Sequence, residues 1–407
     1  MSNKVLNIFT IDFPYNNGEP FLKNEIEVLA KSFEKIVVFP MNFKDTKIKC
    51  QLPDNIVVQH ETIFDSYNRL SVFGRNFFLI ITIFFSEILK TPFKKQYLFN
   101  FRKHFNILLH RVNAAKKLAP IFNSQDQKHL VYTYWFTQWT LIFSIINSKQ
   151  KNISLYTRIH GMDVYEDQHA DKGFFFPFRY FQAKQIKKVI AISENGRDHL
   201  LKVSPQFNHK VEVNRLGVLH HGINPNNSEG EFVLVSCSSF QSYKRVHLIL
   251  EILKKIDFKI KWIHFGDSEG RKLVEKTFNA IPSNVTIDLM GYVSNTSLME
   301  FYRKNHVDLF INVSETEGIP VSIMEAMSFG IPCIATNVGG VNEIVNNTNG
   351  FLVKKYFNND QVAEFIINYN KLDVLKKNVF RNQALNTWRS LYDQQTNCDD
   401  LIKILKS

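Results

Sequence analysis

Short apolar runs rich in β-branched residues alternate along this chain with longer stretches of helical periodicity, the rhythm of parallel sheets covered by helices. Val5 to Ile11 predicts an opening strand, followed by a loop from Asp12 to Pro20 and a helix over Phe21 to Ser32. Ile36 to Pro40, Val131 to Trp135, Ser154 to Ile159, Lys188 to Ser193 and Val211 to Gly217 predict further strands. One helix runs on to Ile146 and another covers Glu194 to Lys202. Strands recur at Phe232 to Cys237, Lys261 to Phe265, Val285 to Leu289, Val307 to Val313 and Pro332 to Thr336. Helices are expected at Val246 to Lys255, Val321 to Phe329 and about Arg381 to Lys406.

The segment from His220 to Gly230 carries Pro225, Gly222 and two asparagines and reads as a linker. At 407 residues the chain exceeds one hydrophobic core. The reading is therefore two α/β domains, 1–218 and 231–389, with the linker at 219–230 and a final helix at about 390–407. The opening strand, glycine-bearing loop and helix form a Rossmann-like unit in which Gly18 allows close approach to a ligand, although no GxGxxG is present.

Composition narrows the partners. The net charge of +12 attracts anions: nucleic acid, acidic lipid or phosphorylated ligands. No nucleic-acid motif accompanies it, which disfavours the first. Between Asn68 and Lys117 the basic residues Arg69, Arg75, Lys90, Lys94, Lys95, Arg102 and Lys103 interleave with many phenylalanines. Such a region either lies on an anionic membrane or packs on the core with a solvated basic face. The apolar run Phe77 to Phe85 is read as core-packed, and at nine residues between Arg75 and Glu87 it is too short to span a bilayer. Four scattered cysteines, without a CxxC pair, argue against a disulfide framework or zinc site and suit a reducing compartment. Met1 to Phe9 lacks signal-peptide architecture, so a cytoplasmic location is expected.

The densest chemistry lies between Ser314 and Pro332. Pro320 suits the first turn of a helix and Gly330 suits its left-handed end. Gly318 and Pro320 keep Glu317 on the preceding loop, while Glu325, eight positions later, lies in the helix. Free N–H groups at Val321 and Ser322 then face an anion flanked by two carboxylates able to accept from sugar hydroxyls. His160 follows a predicted strand, where parallel sheets bind ligands.

Glu317-x7-Glu325, with Gly318, the run Met324 to Met327 and Gly330-Ile331-Pro332, resembles the signature of the family 4 glycosyltransferases. The likeness is strong over about Phe232 to Val353 and weaker before it. It implies a GT-B fold: two Rossmann-like domains facing each other across a cleft, with the C-terminal helix crossing back to the first. It also implies a retaining transferase using a UDP- or GDP-linked sugar, with no metal and no cofactor beyond that donor. By the resemblance Glu317 takes donor-sugar hydroxyls near C3 or C4, Glu325 takes those of the ribose, and His160 lies beside the reacting carbon. Lys244 and the helix start, framed by Ile319, Pro320, Val321 and Ser322, hold the diphosphate, while Gly291 and Tyr292 cradle the base.

The chain departs from the family at Ser239, where an arginine is expected. Arg245, a cation of the first domain, or backbone donors are the candidates to replace it. The catalytic base is left open. The leading reading is a transferase acting on a glycan or lipid-linked acceptor in bacterial surface polysaccharide assembly, with peripheral contact to the anionic inner face of the cytoplasmic membrane left open. A nucleotide-sugar epimerase or hydrolase, and a non-catalytic basic protein binding anionic polymer or membrane, are the alternatives.

Overall fold

The computed structural model describes residues 5–15, 19–43, 51–90, 94–124, 128–165, 177–226, 230–276, 278 and 281–407. The chain divides into two compact units, Met1–Asn214 with Cys398–Ser407, and Arg215–Asn397.

Among the described residues, the first unit holds a seven-stranded sheet of β1 (Val5–Thr10), β2 (Lys35–Pro40), β3 (Ile56–Val58), β4 (His129–Thr133), β5 (Ile153–Ile159), β6 (Lys188–Ala191) and β7 (Val211–Val213). All neighbours pair in parallel, in the order β3-β2-β1-β4-β5-β6-β7. Its helices are α1 (Pro20–Ser32), α2 (Arg69–Arg75), α3 (Phe77–Lys90), α4 (Lys94–Phe99), α5 (Phe101–Leu118), α6 (Gln138–Gln150), α7 (Gly161–Val164), α8 (Arg179–Ala183) and α9 (Glu194–Val203).

The two-residue period of the strands sorts their side chains between two cores. Leu6, Ile8, Ile36, Val38, Leu130 and Tyr132 pack with Leu22, Ile26 and Leu29 of α1. Phe9, Val37, Phe39, Val131 and Leu155 pack on the other face with α3, α5 and α6. Burial on both faces explains why these strands read as continuous apolar runs.

The second unit repeats this scheme with β8 (Phe232–Cys237), β9 (Ile260–Phe265), β10 (Val285–Gly291), β11 (Leu309–Asn312), β12 (Cys333–Asn337) and β13 (Gly350–Lys354). The strands are again parallel, in the order β10-β9-β8-β11-β12-β13. Its helices are α10 (His247–Leu253), α11 (Arg271–Glu275), α12 (Asn295–Lys304), α13 (Val321–Ser328), α14 (Asn359–Asn370) and α15 (Val374–Leu391). The last helix, α16 (Gln394–Lys406), returns the chain to the first unit, where Cys398, Leu401, Ile402 and Leu405 join the α1 core. In each sheet the order of winding reverses once, between β1 and β4 and between β8 and β11. Such switch points open a crevice at the carboxyl ends of the strands.

Of the stretch expected to link the domains, residues 219–226 fall in the second unit, mostly exposed and held there by Asn224. Buried Asn224 donates from Nδ2 to the carbonyls of Tyr302 (2.6 Å) and Asn305 (2.8 Å) and accepts from the Val307 N–H (3.0 Å). Its polar side chain is used to satisfy backbone groups, which a composition-based reading mistakes for solvation.

A buried ion pair crosses from β5 to α1 in the first unit: Arg158 Nη1 lies 2.5 Å from Glu25 Oε2. Arg158 Nη2 donates to Asn214 Oδ1 at 2.6 Å. Removing one partner of such a pair strands the other's charge without water. Glu25→Ala is expected to cost about 3–5 kcal/mol of stability. The double change of Glu25→Leu with Arg158→Met is expected to cost less, and urea denaturation of both proteins measures the difference.

Candidate active site

The carboxyl ends of β8 and β11 bring two loops of the second unit together. After Cys237 the chain turns through Ser238 to Gln241 and a single 3-10 turn, Ser242–Lys244. Lys244 Nζ lies 2.6 Å from Glu317 Oε1, and both side chains are largely enclosed. Asn312 Nδ2 reaches the same oxygen at 3.4 Å, while Asn312 Oδ1 accepts the Ser314 N–H at 3.0 Å. The loops are also joined through their backbones, with the Glu315 N–H donating to Tyr243 O at 2.7 Å.

Arg245 does not face this pair. Its guanidinium donates to the carbonyls of Val313 (2.8 Å), Ser314 (3.1 Å) and Lys355 (2.8 Å). Its backbone is left-handed, with φ +50°. Of the substitutes considered for the missing arginine, Arg245 is therefore already committed to carbonyl oxygens. Its guanidinium staples the ends of β11 and β13 to the turn. Ser239 stands half-buried at the expected arginine position.

Helix α13 begins at Val321 after Pro320, with no side chain capping its N-terminus. The N–H groups of Val321 and Ser322 thus belong to the first turn, which has no intrahelical acceptors. The loop before it, Glu317 to Ile319, is clamped by Gly339 and Gly340: the Gly340 N–H donates to Gly318 O at 2.7 Å. Gly339 has φ +54°, and a Cβ there would lie 1.8 Å from Glu317 O. Glycine is required twice over, by backbone angle and by space.

Glu325 lies one turn further along α13, half-buried, accepting from Asn295 Nδ2 at 2.5 Å. Burial pushes its carboxyl up to about 7, only partly offset by the Asn295 bond. The same surroundings push the Cys237 thiol up to about 12, by burial first and then by the nearby Glu325 charge. The Tyr302 hydroxyl is buried there without a hydrogen-bond partner.

Further along the edge, Gly291 ends β10 with φ +71°, and its carbonyl accepts the Gly266 N–H at 2.8 Å. Gly266 in turn is pressed on the Ser238 carbonyl, where a Cβ would sit 2.0 Å away. Tyr292 is exposed. The loops that carry Gly291, Ser239, Lys244, Glu317 and Gly318 therefore form one contiguous rim. Among the described residues, no group of three or more His, Cys, Asp or Glu is placed to hold a metal ion.

His160 belongs to the first unit, at the end of β5 and the start of α7. Its Nε2 is 3.0 Å from the Tyr134 carbonyl, so Nε2 carries the proton. Burial, then the Arg158 charge, lowers its basicity to a pKa of about 3, and the ring is neutral at physiological pH. Asp163 accepts the His160 and Phe136 N–H groups and is pushed up to about 7 by burial. Gly18 lies outside the described residues. Its neighbour Glu19, which sequence reasoning passed over, accepts from the N–H groups of Ile11 (2.8 Å), Asp12 (2.9 Å) and Phe13 (2.6 Å) and from Trp135 Nε1 (2.8 Å). A lone glutamate after an Asn-Gly pair gives no sign of this role.

Gly339→Ala is expected to displace the Glu317 loop, destabilise the fold by about 2 kcal/mol and so lower its melting temperature, and separate Lys244 from Glu317. Differential scanning fluorimetry and a crystal structure of the variant measure the two effects.

Residues 223–385 match the family model described as glycosyl transferases group 1. An uncharacterised glycosyltransferase of Methanocaldococcus jannaschii is 27% identical over 288 residues, 69% of this chain and 76% of that protein. An O-antigen biosynthesis glycosyltransferase of Escherichia coli is 28% identical over 130 residues, 32% of this chain and 35% of its own length. The crystal structure of Anabaena HepE in complex with UDP and glucose superposes with a TM-score of 0.66 over 99% of both chains, at 17% identity. The likeness to the group 1 glycosyl transferases is thus carried by residues 223–385, and the fold of the whole chain is the α/β two-domain GT-B fold.

Proposed function

We propose that this protein moves a sugar from a UDP- or GDP-linked donor to a hydroxyl of a glycan or lipid-linked acceptor, with retention of anomeric configuration, in bacterial surface polysaccharide assembly. The observation that carries the donor half is the Lys244–Glu317 pair beside the uncapped start of α13, with Glu325 one turn into the helix. Retention and the UDP or GDP choice are supported by resemblance to the Glu-x7-Glu transferases. The pathway is supported by the O-antigen relative.

Cleavage of the donor builds negative charge on the diphosphate and positive character on the sugar ring. Lys244 and the N–H groups at Val321 and Ser322 would receive the diphosphate. When the lysine turns to phosphate, Glu317 Oε1 is freed to accept from the sugar hydroxyls. Glu325 would accept from the ribose. Because the guanidinium of Arg245 is committed to carbonyls and Ser239 carries no charge, the lysine and the helix start bear more of the load than in arginine-bearing relatives.

His160, neutral and donating to a carbonyl, would act by shape and hydrogen bonding beside the reacting centre, not as a cation. No described side chain is assigned as the base. Departing phosphate oxygen is the group of suitable basicity to take the acceptor's proton, in keeping with the retaining reading.

Three outcomes follow. In a thermal-shift screen of UDP-, GDP- and ADP-sugars, one nucleotide class is expected to raise the melting temperature. Lys244→Ala is expected to weaken that binding by about 2 kcal/mol, and equal shifts in both proteins would remove Lys244 from the site. Ribose hydroxyls need the ionised form of Glu325, whose carboxyl titrates at about 7. Donor affinity should therefore rise as pH climbs from 6 to 8, and Glu325→Gln should flatten that dependence in isothermal titration. Product analysis with acceptor omitted separates transfer from epimerisation or hydrolysis: a transferase releases little free sugar and makes no epimer.

A further inference from the structure

Helix α3 is apolar all round, yet only one side of it meets the protein. Ile80, Ile83 and Phe84 face the core, and buried Glu87 accepts the N–H groups of Tyr180 (3.0 Å) and Phe181 (3.3 Å), tying the helix to α8. The opposite side carries Phe78, Thr82, Phe85 and Leu89 at spacings of four, three and four, a single stripe along the helix. Phe78 is 83% exposed, Phe85 56% and Leu89 68%. Next to this stripe, Leu70 of α2 and Leu98 and Phe99 of α4 are also exposed. Phe101 extends the aromatic surface, with its ring 4.9 Å from Phe84.

A soluble surface rarely leaves so many large apolar side chains together unless something covers them. The charge around them says what. From residue 68 to 117 there are ten lysines and arginines and a single acid, the buried Glu87. Arg69, Arg75, Lys90, Lys95, Arg102 and Lys103 are exposed. A second copy docking through the same patch would bring these like charges together, which is costly. An anionic lipid surface instead satisfies both the apolar stripe and the cations. Among the described residues no single helix is long and apolar enough to cross a bilayer; α3 has its inner side anchored in the core and meets α2 at an 84° bend, which favours lying in the interface. At that bend Arg75, Lys116 and Lys149 ring a cavity of about 390 Å³ floored by Val112, Ala115 and Ile146, a setting suited to a phosphate headgroup.

We propose that the outer face of α3, with α2 and α4, is an interfacial docking surface for a bilayer containing anionic lipid, on which the helix lies in the membrane plane. The inference goes beyond the donor reading and stands without it. It corrects the expectation that Phe77 to Phe85 is simply core-packed: the segment is packed on one side and uncovered on the other.

Co-sedimentation with vesicles of phosphatidylcholine, alone or with added phosphatidylglycerol, tests it without any sugar nucleotide. Wild type is expected to bind the anionic vesicles only, and less as salt rises. The double variants Phe78→Ser with Phe85→Ser, and Arg102→Glu with Lys103→Glu, should each lower partitioning on the order of tenfold while leaving melting temperature and nucleotide-induced shift unchanged. If the phenylalanine variant fails to fold, the charge variant decides. Wild type remaining in the supernatant with both vesicles, or charge-reversed protein binding as well as wild type, overturns the proposal. So does a wild-type dimer that the phenylalanine variant dissolves.

Discussion

The reversal of strand order between β8 and β11 is the constraint on which the candidate site depends. It sends the loop after β8 and the loop after β11 along the same edge, so that Lys244 and Glu317, far apart in sequence, meet at 2.6 Å. An ion pair this enclosed has lost much of its hydration, and it persists because Asn312 adds a second contact to the carboxylate. The geometry is fixed from below as well. Gly339 and Gly340 press on the Glu317–Gly318 backbone, and Arg245 ties three carbonyls of the surrounding strand ends. A loop with so many backbone anchors presents its charges in place before a ligand arrives, which lowers the cost of binding.

The first unit spends its polar groups differently. Glu25 and Arg158 form a buried pair inside the unit, and Glu19 gathers three consecutive N–H groups of the loop after β1. Both carboxylates hold backbone or sheet in position. His160, at the end of β5, is likewise fixed by its ring to Tyr134 O and by its backbone N–H to Asp163. Desolvation acts oppositely on the two site groups: it raises the Glu325 carboxyl of the second unit to about 7 and lowers the His160 imidazole of the first to about 3.

Much of the fold was legible because buried parallel strands are apolar on both faces. The strand at Phe232–Cys237 and the start of α13 at Val321 coincide with the residues expected from pattern and from Pro320. What pattern could not reveal was where polar side chains turn inward. The buried bonds of Asn224 leave no mark in composition, and the three residues of β3 are too short a run to stand out. In the site, the pairing of Glu317 with Lys244 needed the sheet order, which no local spacing encodes. Arg245 looked available as a replacement cation because charge is visible in sequence while left-handed backbone and carbonyl partners are not. The uncovered side of α3 was hidden for a related reason: a helix apolar all round gives no period from which to tell a buried face from an exposed one.

The central claim is that a diphosphate belongs at the start of α13, between Lys244 and the two glutamates. A crystal structure with a non-hydrolysable sugar nucleotide tests it most directly. The account predicts phosphate oxygens within hydrogen-bond reach of the Val321 or Ser322 N–H and of Lys244 Nζ, with Glu325 on the ribose. Phosphates held elsewhere, with Lys244 still bonded to Glu317, would contradict it.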